Sequence, residues 1–193
     1  MKFVVFEGPD GSGQTTQVKL LADYLRKKGF EVFETKEPTN ETAVGKLIRD
    51  VLQHRYRIGD DTLQLLFTAD RAEHLQEIEK ALKAKKWVVC DRYILSTLAY
   101  GSASGLDLKW LESLNEKFRW PDYTFLLDVP AEICMERLSK SRSNLEYFEK
   151  REKLERILQQ YKEIVRKREN VFVLDGTKPK EMVHKEVLKV MRI

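Results

Sequence analysis

A chain of 193 residues, 42% hydrophobic and 34% charged, is long enough to bury one core and too apolar to remain disordered. Thirty-five Lys and Arg against 31 Asp and Glu leave a formal net charge of +4. The basic residues are interleaved with acids instead of forming a block, which suits a small phosphorylated molecule at least as well as nucleic acid, and the balance alone decides nothing.

Phe3–Phe6 reads as a β-branched and aromatic strand, closed at once by glycines. From Thr15 to Lys28, Val18, Leu21, Ala22 and Leu25 recur at helical spacing, with Gly29 as a natural C-cap. Glu31–Thr35 is a second strand, stopped by the turn at Pro38, and helical periodicity returns over Ala43–Gln53 and Thr62–Lys85. Trp87–Cys90 and Tyr123–Val129 read as the third and fourth strands. A long, highly charged helix is predicted from about Tyr147 to Arg168, then a fifth strand at Val171–Leu174 and a closing helix over Pro179–Met191. Short apolar strands separated by helices predict an α/β fold, a five-stranded parallel sheet with helices on both faces, in a single domain spanning 1–193.

Cys90 ends an apolar run and Cys134 lies in a helical pattern, so both read as core thiols without zinc-ligand spacing. No run approaches the roughly 18 apolar residues of a membrane span. The N-terminus enters a strand directly, without the features of a targeting peptide, so the expected location is cytoplasmic.

The first strand leads into Glu7-Gly8-Pro9-Asp10-Gly11-Ser12-Gly13-Gln14-Thr15-Thr16. This is the strand, glycine loop and helix order of a phosphate-binding P-loop, GxxxxGK[ST], with one departure. Backbone N–H groups of such a loop cradle phosphate oxygens, and the helix N-terminus adds its positive dipole end. Thr15 stands where a hydroxyl coordinates Mg²⁺, and the lysine position holds Gln14. An amide supplies a neutral dipole where lysine supplies a mobile charge, and loss of one preorganised donor costs about 10²–10³ in rate. Weakened handling of a transferred phosphoryl group is therefore expected, with Lys140 or Arg142 as candidate compensating cations.

Phe67, Arg71 and His74 follow at i, i+4 and i+7, one face of a helix, where a ring can stack on a base and a guanidinium can bond its edge. Asp91-Arg92-Tyr93 follows the third strand, with Ser96 and Tyr100 beyond it. Ligands of open parallel sheets gather at the carboxyl ends of strands. Asp91 is thus expected to support Mg²⁺, and Arg92 to clamp a phosphate bidentately.

Taken together, the Phe-Glu-Gly-x-Asp-Gly-x-Gly loop, the Glu37-Pro38 turn, Gly45…Ile48-Arg49, Leu66-Phe67…Arg71 and Asp91-Arg92-Tyr93…Ser96…Ala99-Tyr100 resemble the thymidylate kinase family over essentially the whole chain. The resemblance implies a P-loop NTPase-type three-layer fold with a short lid at about 139–149. It also implies transfer of the ATP γ-phosphoryl group to dTMP, a Mg²⁺ cofactor and a homodimer. Residues 8–16 (Gly8, Pro9, Asp10, Gly11, Ser12, Gly13, Gln14, Thr15, Thr16) would bind ATP, with Arg137, Thr177 and Lys178 near adenine. Asp10 would meet the sugar 3′-hydroxyl, Phe67 would stack on thymine and Arg71 would donate to its carbonyl. Arg49 and Arg92 would hold the acceptor phosphate beside Pro38 and Ser96, and Tyr100 would crowd the sugar 2′ position. Arg142, with Lys140, would bring lid charge to the transferred group, since Gly11 rather than arginine follows Asp10. Gly101 and Lys36 depart from the glutamine and arginine frequent in the family. Another (deoxy)nucleoside monophosphate kinase, or a nucleotide-binding protein weakened by Gln14, remains as the alternative.

Overall fold

The computed structural model describes residues 1–138, 144–166 and 168–193; of 144–149 it describes the backbone path alone. Five strands form one parallel sheet: β1 (Phe3–Glu7), β2 (Val32–Lys36), β3 (Trp87–Asp91), β4 (Tyr123–Asp128) and β5 (Val171–Asp175), in the order β2-β3-β1-β4-β5. The order reverses beside β1, which puts the P-loop at the switch point where open sheets bind ligands.

Side chains of a strand alternate between its faces, so β1 feeds two cores. Phe3 and Val5, with Val88, Cys90 and Leu126, pack beneath α3 (Asp60–Lys83), α4 (Ile94–Ala103) and α7 (Asn144–Val165). Val4 and Phe6, with Val89, Phe125 and Leu127, pack against α1 (Gln14–Lys27) and α8 (Lys180–Met191). The α/β architecture predicted from the strand runs is the one observed.

The remaining helices are α2 (Ala43–Leu52), α5 (Leu108–Asn115) and α6 (Ala131–Leu138). The chain-order reading passed over α4 and α5. Helix α4 buries Ile94, Leu95, Thr97, Leu98, Ala99 and Gly101, nearly all round, so it shows no amphipathic period. Helix α5 did carry a signal: the Asp107 carboxylate accepts from the Trp110 N–H as an N-cap. Helix α7 starts three residues before the predicted Tyr147 and ends at Val165 rather than Arg168. Cys90 and Cys134 are both buried free thiols, and among the described residues no helix is long and apolar enough to cross a membrane.

Candidate active site

The loop after β1 turns through left-handed residues, Gly11 at φ 87° and Gly13 at φ 103°, the latter the N-cap of α1. A side chain at Gly11 would also collide with the Cys134 carbonyl, 2.6 Å from the Cβ position, so this backbone path requires glycine. Pro9 is buried, while Thr15 and Thr16 stand exposed at the first turn of α1. The Gln14 amide is turned back into the loop, donating to the Gly8 carbonyl at 2.6 Å. The residue in the lysine position is buried and braces the loop backbone, a use its sequence position alone does not reveal.

Thr15 of α1 and Asp91 at the end of β3 meet directly, the hydroxyl donating to Asp91 Oδ2 at 2.5 Å. Two hard oxygen donors at a helix N-terminus suit Mg²⁺, which is commonly held by one or two protein oxygens together with substrate phosphates. Arg92 takes a left-handed φ of 69°, unusual for a non-glycine residue and costing on the order of 1–2 kcal/mol. Its guanidinium donates to Asp10 Oδ1 at 2.7 Å, to the Gly8 carbonyl at 3.0 Å and to Ser96 Oγ at 3.2 Å. It also lies over the Tyr100 ring, 5.2 Å from the centroid. Arg92, Asp10, Ser96 and Tyr100 therefore form one cluster against the P-loop. The Tyr100 hydroxyl is buried beside Arg92 and Asp10, and burial pushes its pKa well up.

Beneath this cluster lies Glu7, the last residue of β1 and fully buried. Its carboxylate accepts from the Tyr93 and Ser96 backbone N–H groups, from the Ser96 hydroxyl at 2.6 Å and from the Tyr161 hydroxyl at 3.0 Å. Burial pushes its pKa above the ordinary value, while the Ser96 bond, the Arg92 charge and the Tyr161 bond pull it back. Glu7 thereby ties β1, the start of α4 and helix α7 to the floor beneath Arg92. Sequence reasoning treated Glu7 only as the entry to the loop. The available signal was a carboxylate ending a strand otherwise of Phe and Val, since a buried charge must find partners.

Helix α3 presents Arg71 and His74 inward as the spacing predicts, but both are committed to Glu37. Arg71 is 1% exposed and donates to Glu37 Oε2 at 2.7 and 2.9 Å. It also donates to Asn115 Oδ1 and Thr97 Oγ1, which uses four of its five N–H groups. Its guanidinium lies over the Tyr93 ring as well. His74 contacts Glu37 Oε1 at 3.0 Å and the Thr35 hydroxyl at 2.7 Å. As a base donor, Arg71 is thus limited to one N–H, and its main observed partner is a buried carboxylate. Phe67 is half-buried, and the Glu37–Pro38 peptide is cis.

Arg49 of α2 is half-buried and donates to the Thr39 carbonyl and to the Asn40 side chain and carbonyl. In turn the Thr39 segment is anchored by buried Asp70, which accepts from the Thr39 N–H and from the Thr39 and Thr42 hydroxyls. Arg137 of α6 donates to the Gly11, Ser12 and Gly176 carbonyls, strapping the P-loop to the turn after β5. In that turn Thr177 bonds Asp175, and Lys178 pairs with Glu186 at 2.7 Å. The expected adenine contacts are therefore gathered on one side of the loop, each already engaged with protein partners. Lys140 and Arg142 lie outside the described residues.

Comparison with known proteins agrees with this geometry. The family model described as thymidylate kinase matches residues 6–187. A probable thymidylate kinase of Methanocaldococcus jannaschii is 41% identical over 191 residues, 98% of this chain and 95% of the relative. One from Pyrococcus abyssi is 40% identical over 197 residues, covering 98% of this chain and 95% of the relative. The thymidylate kinase of Plasmodium falciparum is 37% identical over 190 residues, 97% and 88% respectively.

Proposed function

Since the chain belongs to the thymidylate kinase family of ATP-dependent nucleotide kinases, we propose that it transfers the γ-phosphoryl group of ATP to dTMP, giving dTDP and ADP. The observation that carries the reading is the convergence of Asp10, Thr15, Asp91 and Arg92 at the mouth of the P-loop, where a polyphosphate and a second phosphate can meet.

In this reading the amides of residues 8–16 cradle the ATP phosphates, and Arg137, Thr177 and Lys178 border the adenine. Thr15 and Asp91 would hold Mg²⁺, which would supply charge neutralisation to the phosphates. Arg92, supported from below by Glu7 and Ser96, exchanges its Asp10 contact for the dTMP phosphate, with Arg49 as a second cation. Asp10, released, accepts the sugar 3′-hydroxyl. Phe67 and Tyr100 bound the base and sugar beside Pro38, and Arg71 offers its remaining N–H. An oxygen of the dTMP phosphate attacks the γ-phosphorus in line as the bond to the ADP oxygen breaks, so positioning and charge neutralisation carry the rate. With Gln14 bonded to Gly8, the cation on the transferred group falls to the lid, Arg142 with Lys140. Partly exposed Leu47, Leu52 and Leu65 on α2 and α3 support a homodimer through these helices. The nucleotide substrates support a cytoplasmic location.

The test is ADP release across dTMP, dUMP, dCMP, UMP and AMP, with wild type and Gln14→Lys in parallel. Turnover with dTMP leading the panel is expected, with little gain in Gln14→Lys because the lid cations compensate; a gain of about 10²–10³ would contradict that compensation. Nucleotide binding without turnover of any acceptor would contradict the kinase reading.

A further inference from the structure

We infer that Tyr161 is a positioning residue for the acceptor phosphate: its hydroxyl, reaching in from α7, fixes the support on which the Arg92 guanidinium is aimed. The inference deepens the kinase reading above and rests on it.

On the buried face of α7, Leu154, Ile157, Ile164 and Val165 present carbon alone, at the spacing of one helix side. Tyr161 sits among them, fully buried, with the one polar tip of the set. Its hydroxyl stands 2.8 Å from Ser96 Oγ and donates to Glu7 Oε2 at 3.0 Å. Burial pushes the phenol pKa well up, so the proton stays on the oxygen to be donated. The ring is used as well. It meets Tyr100 edge to face, with centroids 6.4 Å apart and planes at 87°. Tyr161 therefore braces two of the groups against which Arg92 lies: Ser96 Oγ, which accepts from the guanidinium at 3.2 Å, and the Tyr100 ring, 5.2 Å from it.

Arg92 needs such a brace. Its φ of 69° is left-handed, a conformation that persists in a residue with a side chain only where the surroundings over-determine it. The guanidinium is 18% exposed and spans the edge of the site. On its buried side it donates to Ser96 and the Gly8 carbonyl; on its open side it donates to Asp10, whose side chain is 54% exposed. A phosphate that displaces Asp10 finds the fork correctly aimed only while the buried side stays fixed, because fork recognition depends on direction as well as distance. Ser96 is that fixed point, and its oxygen is held by Glu7 and Tyr161 together. Without the Tyr161 hydroxyl, fully buried Glu7 loses a donor and Ser96 loses one of its two braces, so Arg92 gains freedom to pivot. Phenylalanine would fill the same volume; the hydroxyl is what this position adds.

The experiment measures dissociation constants for dTMP and for thymidine, which lacks the phosphate, together with dTMP turnover and the KM for ATP. Wild type, Tyr161→Phe, Arg92→Ala and the double variant are compared, with thermal melting to confirm folding. Tyr161→Phe should weaken dTMP binding about three- to tenfold and leave thymidine binding and the ATP KM unchanged, so the preference for dTMP over thymidine contracts. Once Arg92 is alanine, adding Tyr161→Phe should alter dTMP binding by less than about twofold, since the hydroxyl acts through the guanidinium. A role in packing alone would weaken both ligands alike or add fully in the double variant. Either result overturns the inference, and so does a folded Tyr161→Phe with unchanged dTMP binding. If Tyr161→Phe does not fold, Ser96→Ala cuts the same link; a contracted preference there supports the inference and an unchanged one overturns it. In each overturning case wild type still phosphorylates dTMP and the kinase reading stands. Failure of wild type to phosphorylate dTMP removes the kinase reading itself, and the role of Tyr161 with it.

Discussion

Replacing Arg71 by Met tests what the buried side of α3 is for. The guanidinium and the Glu37 carboxylate are 1% and 4% exposed and pair at 2.7 Å, and His74, itself bonded to the Thr35 hydroxyl, contacts the other Glu37 oxygen. Two ions removed from water repay desolvation only while both are present, and removing one partner of such a pair costs about 3–5 kcal/mol. For a chain of this length each kcal/mol moves the melting temperature by about 2–4 °C, so Arg71→Met should melt roughly 6–20 °C lower. The second variant makes the argument specific. Glu37→Gln in the Arg71→Met background removes the stranded charge, and the double variant should be more stable than the sum of the single losses by about 1–3 kcal/mol. Urea unfolding followed by circular dichroism measures both quantities. A single variant within about 1 kcal/mol of wild type, or strictly additive losses, would refute the view that a desolvated ion pair holds this helix.

Three further outcomes are expected. Arg92→Ala should raise KM for dTMP by about 10- to 100-fold, the scale of lost hydrogen bonds to a charged group, and unchanged dTMP saturation would contradict its phosphate role. Thr15→Ala should cut activity by at least about tenfold and raise the Mg²⁺ concentration needed for half-maximal rate; an unaltered Mg²⁺ titration would exclude Thr15 as a ligand. Glu7 should leave a signature in the pH dependence of stability. Burial raises its folded pKa above the ordinary 4.5, so the stability it contributes is full below that value and is lost as pH rises through the folded pKa. Relative to Glu7→Gln, wild type should therefore lose stability on going upward from about pH 4, and parallel pH profiles would count against the assignment.

Much of the site was legible because its chemistry is local. The P-loop is a consecutive run, and each of its glycines answers a backbone requirement that spacing alone reveals. Asp91 and Arg92 were legible because a charged pair directly after a buried strand falls at the ligand-binding edge of a parallel sheet. Arg71 was found as an inward-facing residue, yet its partners were not, because Glu37, Thr97 and Asn115 come from three other segments. Helix α4 escaped detection for a related reason: a helix packed on nearly every side carries no polar face to mark its period.

Sequence by itself determined the alternation of strands and helices, the phosphate loop and the identity of the charges that surround it. These depend on short-range patterns, which side-chain spacing and backbone geometry make readable. Only the tertiary structure decided that Gln14 braces Gly8 and that Glu7 anchors the floor under Arg92. A buried polar group is defined by what meets it, and those meetings join residues far apart in the chain, 154 positions for Glu7 and Tyr161.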